Sequence, residues 1–268
     1  MSTIRILFLG DIVGRPGREV IIRNIAEWRK SLNVLAVIAN GENASGGNGL
    51  TTKNAGELID AGVDVITGGN HIWRQKDYAQ MFSTYPSVIR PANYPDETPG
   101  EGYTKFSLSG GKVAGVINLQ GRVFMDPTDC PFKKADTILD RLSEETNMIL
   151  VDMHAEATSE KVAMGWYLDG RVSAVVGTHT HVPSADYRIL PGGTGYLTDL
   201  GMVGPMDGVL GVDREPILKR FTTGLPARFS IAEGPVQVNG AVIEIDPDTG
   251  KALDISPFRE RHESVEAD

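Results

Sequence analysis

The chain has 268 residues, which at about 150 residues per domain makes one large domain or two small ones. Hydrophobic residues make up 41% and charged residues 23%, the balance of a folded globular protein, which excludes disorder and fibrous repeats. A net charge of -9 excludes a broad electrostatic grip on nucleic-acid backbone, although a locally positive site could still take a phosphate.

Short apolar runs alternate with amphipathic stretches through the first half, the pattern of an α/β fold. The first apolar run ends at Asp11, too short for a membrane span and without the flanks of a signal peptide. In chain order, strands are predicted at Ile4–Leu9, Val34–Ala39, Val63–Thr67, Val113–Asn118, Met148–Met153 and Val172–Val176, each followed by glycine or a polar cluster. Helices are predicted between them. Glu19–Lys30, opening near Pro16, sets Val20, Ile21, Ile25 and Trp28 at helical spacing; Thr51–Ala61, Gln75–Tyr85, Pro131–Glu145 and Ser159–Leu168 follow. The lone cysteine, Cys130, permits neither an intramolecular disulfide nor a Cys-rich metal site, which fits a reducing cytoplasm, so a cytoplasmic protein without membrane association is expected.

After about residue 185 the sequence becomes short apolar segments broken by glycine and proline. Antiparallel strands are predicted at Arg188–Leu190, Gly195–Thr198, Arg228–Ile231 and Gln237–Ile245, with a helix at Glu215–Phe221 and a turn at Asp246–Gly250 between the last two strands. Only the polar end, Arg259–Asp268, reads as disordered. With neither a repeat nor a low-complexity linker, residues 1–268 are expected to form a single domain with two β-rich halves.

Four of the five histidines occupy one kind of place: His71 after a Gly-Gly-Asn run, His154 at the end of a predicted strand, and His179 and His181 just after another. Asp11, Glu42, Asn43 and Asn70 also follow predicted strands. Singly, each has a bland reading. Asp11 could cap the helix at Pro16, Glu42 and Asn43 could lie in a solvated loop, and His154 could be a hydrogen-bonded core histidine. Together they point to one site, because ligands of open α/β sheets bind beyond the carboxyl ends of the strands. His179 and His181, two apart in extended backbone, would turn both imidazoles to one face, a fit for a borderline divalent metal. Gly10 to Gly17 has the wrong spacing for a dinucleotide loop, and neither a Walker sequence nor a Gly-x-Ser-x-Gly elbow is present.

In order, Gly10-Asp11, Gly41-Glu42-Asn43, Gly69-Asn70-His71, His154 and Gly177 to His181 resemble the calcineurin-like metallophosphoesterases. Val13 stands where that superfamily usually has a histidine, and Glu42 where it has an aspartate; both departures, with the runs at 90–93, 118–122 and 154–161, are similar to its YmdB-like branch. The resemblance covers nearly the whole chain. It implies an α/β fold with a two-sheet β-sandwich flanked by helices, and a phosphodiesterase acting on 2′,3′-cyclic nucleotides or related RNA-derived diesters by attack of a metal-bridging hydroxide. The implied cofactors are two divalent metal ions. Glu42 would bridge them, with Asp11, Asn43 and His181 completing one and Asn70, His154 and His179 the other. Asn43 in place of an imidazole makes its site harder, which favours iron or manganese over zinc. His71, beside Asn70 but outside the ligand set, is the expected catalytic residue, protonating the departing oxygen or stabilising the phosphate.

Two rivals stand beside this reading. A metal-dependent amide hydrolase also uses a His-x-His pair, but there the pair follows an early strand of a βα barrel, and here it comes at residue 179. A non-catalytic regulator that senses a metal or nucleotide, or binds RNA, would keep the pocket without needing a proton donor at His71. Pocket walls are expected from Asn48–Leu50, Gln120–Phe124 and Gly201–Gly211. A glycine- and proline-rich surface near the site could be completed by a second subunit in a homo-oligomer.

Overall fold

The computed structural model describes residues 3–263. Its strands are β1 (Ile4–Ile12), β2 (Ala36–Asn40), β3 (Val65–Thr67), β4 (Tyr103–Ser107), β5 (Val113–Gln120), β6 (Ile149–His154), β7 (Ala174–Thr178), β8 (Arg188–Ile189), β9 (Gly195–Leu197), β10 (Met202–Pro205), β11 (Val236–Ile245) and β12 (Ala252–His262). The α-helices are α1 (Gly14–Ser31), α2 (Thr52–Ala61), α3 (Tyr78–Thr84), α4 (Pro131–Leu142), α5 (Thr158–Tyr167) and α6 (Arg214–Thr223). Two mixed sheets of six strands result, ordered β12-β11-β10-β1-β2-β3 and β4-β5-β6-β7-β9-β8.

The layers follow from where apolar side chains go. Ile6, Phe8, Ile38, Val116, Leu150, Val176 and Ile243 form the core between the sheets. The opposite face of the first sheet, with Leu7 and Leu9, packs on Val20, Ile21 and Ile25 of α1 and Leu58 of α2. On the second sheet, Ile117, Leu119, Val151 and Met153 pack on Ile138 and Leu139 of α4 and Met164 of α5. Because β1 and β6 are covered on both faces, they read as continuous apolar runs rather than alternating ones. Thr51 caps α2 by accepting from the Asn54 amide at 3.2 Å. No helix among the described residues is long and apolar enough to cross a membrane.

The second half departs from its sequence reading. Strands β4 and β10 are not among the predicted segments: β4 is a half-exposed edge strand without an apolar run, and β10 carries Gly204 and Pro205, residues that read as breakers. Arg228–Ile231 is not a strand; exposed over 228–230, it contributes one bridge, between Val212 and Ile231. The expected antiparallel direction holds for β8 with β9 and β11 with β12, but β9 runs parallel to β7 and β10 parallel to β1. Local composition does not fix direction: β7 and β9 are joined through β8 of their own sheet, and β1 and β10 by most of the chain. Arg259–His262, read as the start of a disordered end, closes β12 in register with β11 from Asn239 to Val236. Its charges suit an edge strand that must not recruit another chain. Residues 264–268 of that expected tail lie outside the described residues.

Candidate metal centre

The eight residues singled out from the sequence meet at one end of the sandwich, beyond the carboxyl ends of parallel strands from both sheets. The first sheet supplies Asp11 near the end of β1, Glu42 and Asn43 after β2, and Asn70 and His71 after β3; the second supplies His154 at the end of β6, and His179 and His181 after β7. Asp11 reaches the site through an irregularity. The pairing of β1 with β2 slips between Leu9 and Asp11, so Ile12, not Asp11, continues the face of Leu7 and Leu9 toward α1. Asp11 thereby turns to the face between the sheets. Gly69 is equally specific: a Cβ there would lie 2.2 Å from both Glu42 Oε2 and His154 Nε2.

Hydrogen bonds fix the imidazole tautomers. Thr178 donates its hydroxyl proton to Asp152 Oδ1 at 2.7 Å, so its oxygen accepts from His154 Nδ1 at 2.8 Å. That leaves His154 Nε2 facing Glu42 Oε2 at 3.2 Å and Asn70 Oδ1 at 3.3 Å. His179 Nε2 lies 3.2 Å from Glu156 Oε2, and its Nδ1 faces His154 Nε2, 3.1 Å away. These nitrogens and the carboxylate crowd one space that either a proton on His154 or a cation would satisfy. Glu42, His154 and His179 present ligand atoms all within 4.8 Å of one another, and each imidazole has an oxygen beside its other nitrogen, as metal-binding histidines do.

Asp11 extends the group. It is fully buried, its Oδ2 accepts from the His179 amide at 3.0 Å, and its Oδ1 accepts no hydrogen bond among the described residues. The nearest imidazole nitrogens to Oδ1, on His154 and His181, are 3.9 and 4.0 Å away. A buried carboxylate oxygen left without a donor is costly, and a cation would satisfy it. His181 donates from Nδ1 to the Leu210 carbonyl at 3.1 Å, which turns Nε2 to the same side as Asp11. Asn43 differs from its sequence reading in detail: its amide nitrogen faces Glu42 Oε1 at 2.8 Å and His181 Nε2 at 3.4 Å, while its oxygen accepts from His71 Nδ1 at 2.9 Å. An oxygen ligand from Asn43 requires that amide to turn over.

The charges agree with this fit. Burial pushes Asp11 up to about 7, against the pull of His181 and His154. Burial also works to raise Glu42, but the charge and hydrogen bond of His154, then His71 and His179, hold it well below the usual carboxylate range. Burial opposes a charge on His154, yet Glu42, Asp11 and Asp152 outweigh it and lift the ring to about 9. His179 is pushed down to about 3 by burial and by His154. Without a cation, the proton on His154 is what balances Glu42.

The His-Thr-His turn is not extended. Strand β7 ends at Thr178, and His179 and His181 take φ of 96° and 65°, left-handed values that cost energy for any residue but glycine. The rings converge because of this bend, not because of strand alternation. Asp199 Oδ2 holds the bend by accepting from the Thr180 hydroxyl at 2.7 Å and amide at 3.3 Å, and Lys161, 1% exposed, pairs with the same oxygen at 2.6 Å. Sequence reasoning gave no role to Asp152, Thr178, Glu156, Lys161 and Asp199; Glu156 and Lys161 lie in the run at 154–161 and Thr178 in Gly177 to His181, while nothing local distinguishes Asp152 and Asp199.

Residues 7–258 match the family described as YmdB-like protein. The chain belongs to that family. A Bacillus subtilis (strain 168) protein named 2′,3′-cyclic-nucleotide 2′-phosphodiesterase is 52% identical over 252 residues, 94% of this chain and 95% of that protein. Among solved structures, a novel phosphatase of Mycoplasma pneumoniae is similar with a TM-score of 0.92 at 36% identity, covering 98% of this chain and 95% of its own. A hypothetical protein of Thermus thermophilus gives 0.89 at 41% identity over 96% and 99%. The expected helix-flanked two-sheet fold is thus the one observed, and membership of this YmdB-like family with the Glu42, His154 and His179 group implies use of a divalent metal.

A cavity of about 590 Å³ opens onto the site, with Glu42, Asn43, His71, His179 and His181 at one end. Val209, Leu210, Val212, Ile217, Arg220, Phe221 and Phe229 line it as well. Of the walls expected from sequence, only Val209 and Leu210 line it; Asn48–Leu50 and Gln120–Phe124 do not, while Gly47, Ile217, Arg220, Phe221 and Phe229, not expected there, do. Exposed apolar residues in a polar helix resemble ordinary surface until the fold shows what they face.

Proposed function

We propose that the protein is a dinuclear metal-dependent phosphodiesterase, a hydrolase that opens 2′,3′-cyclic nucleotides or related RNA-derived diesters. The observation that carries this is the cluster of imidazoles and buried carboxylates from two sheets, in a chain 52% identical to a protein named for that activity. Glu42 would hold both metals; Asp11 and His181, with Asn43 once its amide has turned, would complete one, and Asn70, His154 and His179 the other. Oxygen-rich donors on the Asp11 side favour iron or manganese. Divalent ions bound there lower the pKa of coordinated water and neutralise charge on the phosphate.

The chain's own groups do the rest. His71 lines the cavity with Nδ1 2.9 Å from the Asn43 side-chain oxygen; once that amide has turned, its nitrogen would donate to Nδ1 and keep the proton on Nε2, the nitrogen that would deliver it to the departing ribose oxygen. Asn43 therefore orients the acid as well as facing Glu42. Asp152 and Thr178 keep His154 in the tautomer that presents Nε2, and Glu156 lies beside the other ring nitrogen of His179. One domain and a cytoplasmic location, supported by the lone Cys130, complete the proposal.

The test compares a chromogenic phosphodiester with the matching monoester. A diester preference, lost reversibly on chelation, is expected; a monoester preference would replace this reading with a phosphatase. His71→Ala should keep its metal by elemental analysis and lose about 10²- to 10⁴-fold in kcat, whereas Glu42→Ala should lose metal. Full metal content in the Glu42 variant would remove the bridging role.

A further inference from the structure

We propose that Phe221, Phe229 and Arg220 form the nucleobase subsite of the cavity, an inference that rests on the diesterase reading above. The cavity, about 590 Å³, falls in the range that takes drug-sized molecules, about 300–1,000 Å³. A phosphate with its ribose ring would need only the part lined by Glu42, His71 and His181. What remains faces an apolar wall.

That wall is exposed at a cost. Phe221 is 79% and Phe229 41% exposed, and α6, which carries Phe221, buries only Ile217 against the rest of the protein. Arg220 sets its guanidinium 5.5 Å from the centroid of the Phe229 ring, so a cation and two aromatic rings line the same side. These are the side chains on which bases stack. The spacing from phosphate to base is held by the chain itself, because Leu210 of this wall accepts the His181 Nδ1 proton at 3.1 Å. Apart from Arg220, the wall residues are hydrocarbon, so the base is recognised by its flat face and not by its edge. The subsite accepts all four bases and favours purines, which offer the larger face.

The test uses two five-membered cyclic diesters, 2′,3′-cyclic AMP and ethylene phosphate, which lacks ribose and base. In Phe221→Ala, Phe229→Ala and the double variant, the ratio of kcat/KM for cyclic AMP to that for ethylene phosphate is expected to fall roughly 5- to 100-fold, through KM. Phe229→Trp should preserve the ratio, and thermal melts of the exposed-site variants should match the parent. An unchanged ratio in the double variant, or a parent that prefers pyrimidines over purines, overturns the subsite. Should the parent hydrolyse neither compound, the diesterase reading fails separately. The subsite is then decided by equilibrium dialysis of cyclic AMP: retention by the parent and loss in the double variant supports it, and absence of binding to the parent overturns it.

Discussion

Gly69 shows how little room a ligand set leaves. An added methyl would lie 2.2 Å from Glu42 Oε2 and His154 Nε2, and neither atom can retreat, since Glu42 also accepts from the His71 amide at 3.1 Å and His154 is fully buried. We expect Gly69→Ala to fold yet bind metal at least tenfold more weakly, read by competition with a chelating dye; unchanged affinity would mean the two ligand atoms are not held where described. Protonation acts at the same atoms. With His154 at about 9 in the metal-free chain, a cation entering at neutral pH must displace its proton, and affinity should rise with pH, by about tenfold per unit for each proton released. Below about 7, Asp11 adds a second proton to displace. Metal titrations in buffers of different ionisation enthalpy read this release directly. Stability of the chelated protein should run the other way: the His154 contribution is complete below about 6.5 and is lost as pH rises through about 9, which melts across that window would show.

Among elements, the His-Thr-His bend rests on a buried ion pair outside the proposed ligand set. Lys161 and Asp199 are 1% and 2% exposed, and Asp199 alone ties Thr180 and the Gly201 amide together. Removing one partner of such a pair costs about 3–5 kcal/mol because the other charge is left buried. We expect Lys161→Met to lose that much in denaturant unfolding, and the Lys161→Met/Asp199→Asn double variant to recover part of it while metal affinity stays low. A single variant as stable as the parent would show the charge to be solvated by other means. The bend also marks a boundary of sequence reading. That His179 and His181 line one cavity was legible from their spacing and their place after β7. The backbone that makes them converge was not, since left-handed φ at two histidines is imposed by Asp199, about twenty residues away. Likewise, alternation along β1 would send Asp11 beneath α1, and only the slip against β2 reverses it.

For the molecule as a whole, the site is a clasp between sheets: Asp11 and Glu42 belong to one, His154 and His179 to the other. Metal bound to the folded chain therefore stabilises it by mass action, about 4 kcal/mol when free metal is 1,000 times Kd. Chelation should lower Tm by several degrees in proportion to that occupancy, and readdition should restore it; a Tm indifferent to metal would argue against ligands drawn from both sheets. The chemistry was legible before the fold because it resides in residue identity. Carboxylate, amide and imidazole side chains at the ends of apolar runs state what can be bound, and runs of this length state that strands precede them. What sequence could not give was direction and distance. Parallel pairing of β9 with β7 and β10 with β1, the second edge formed by β4, and the facing of Phe221 and Phe229 onto the ligand cavity depend on contacts between segments far apart in the chain. Local propensity describes each segment alone, whereas a site exists only where several segments are packed against one another.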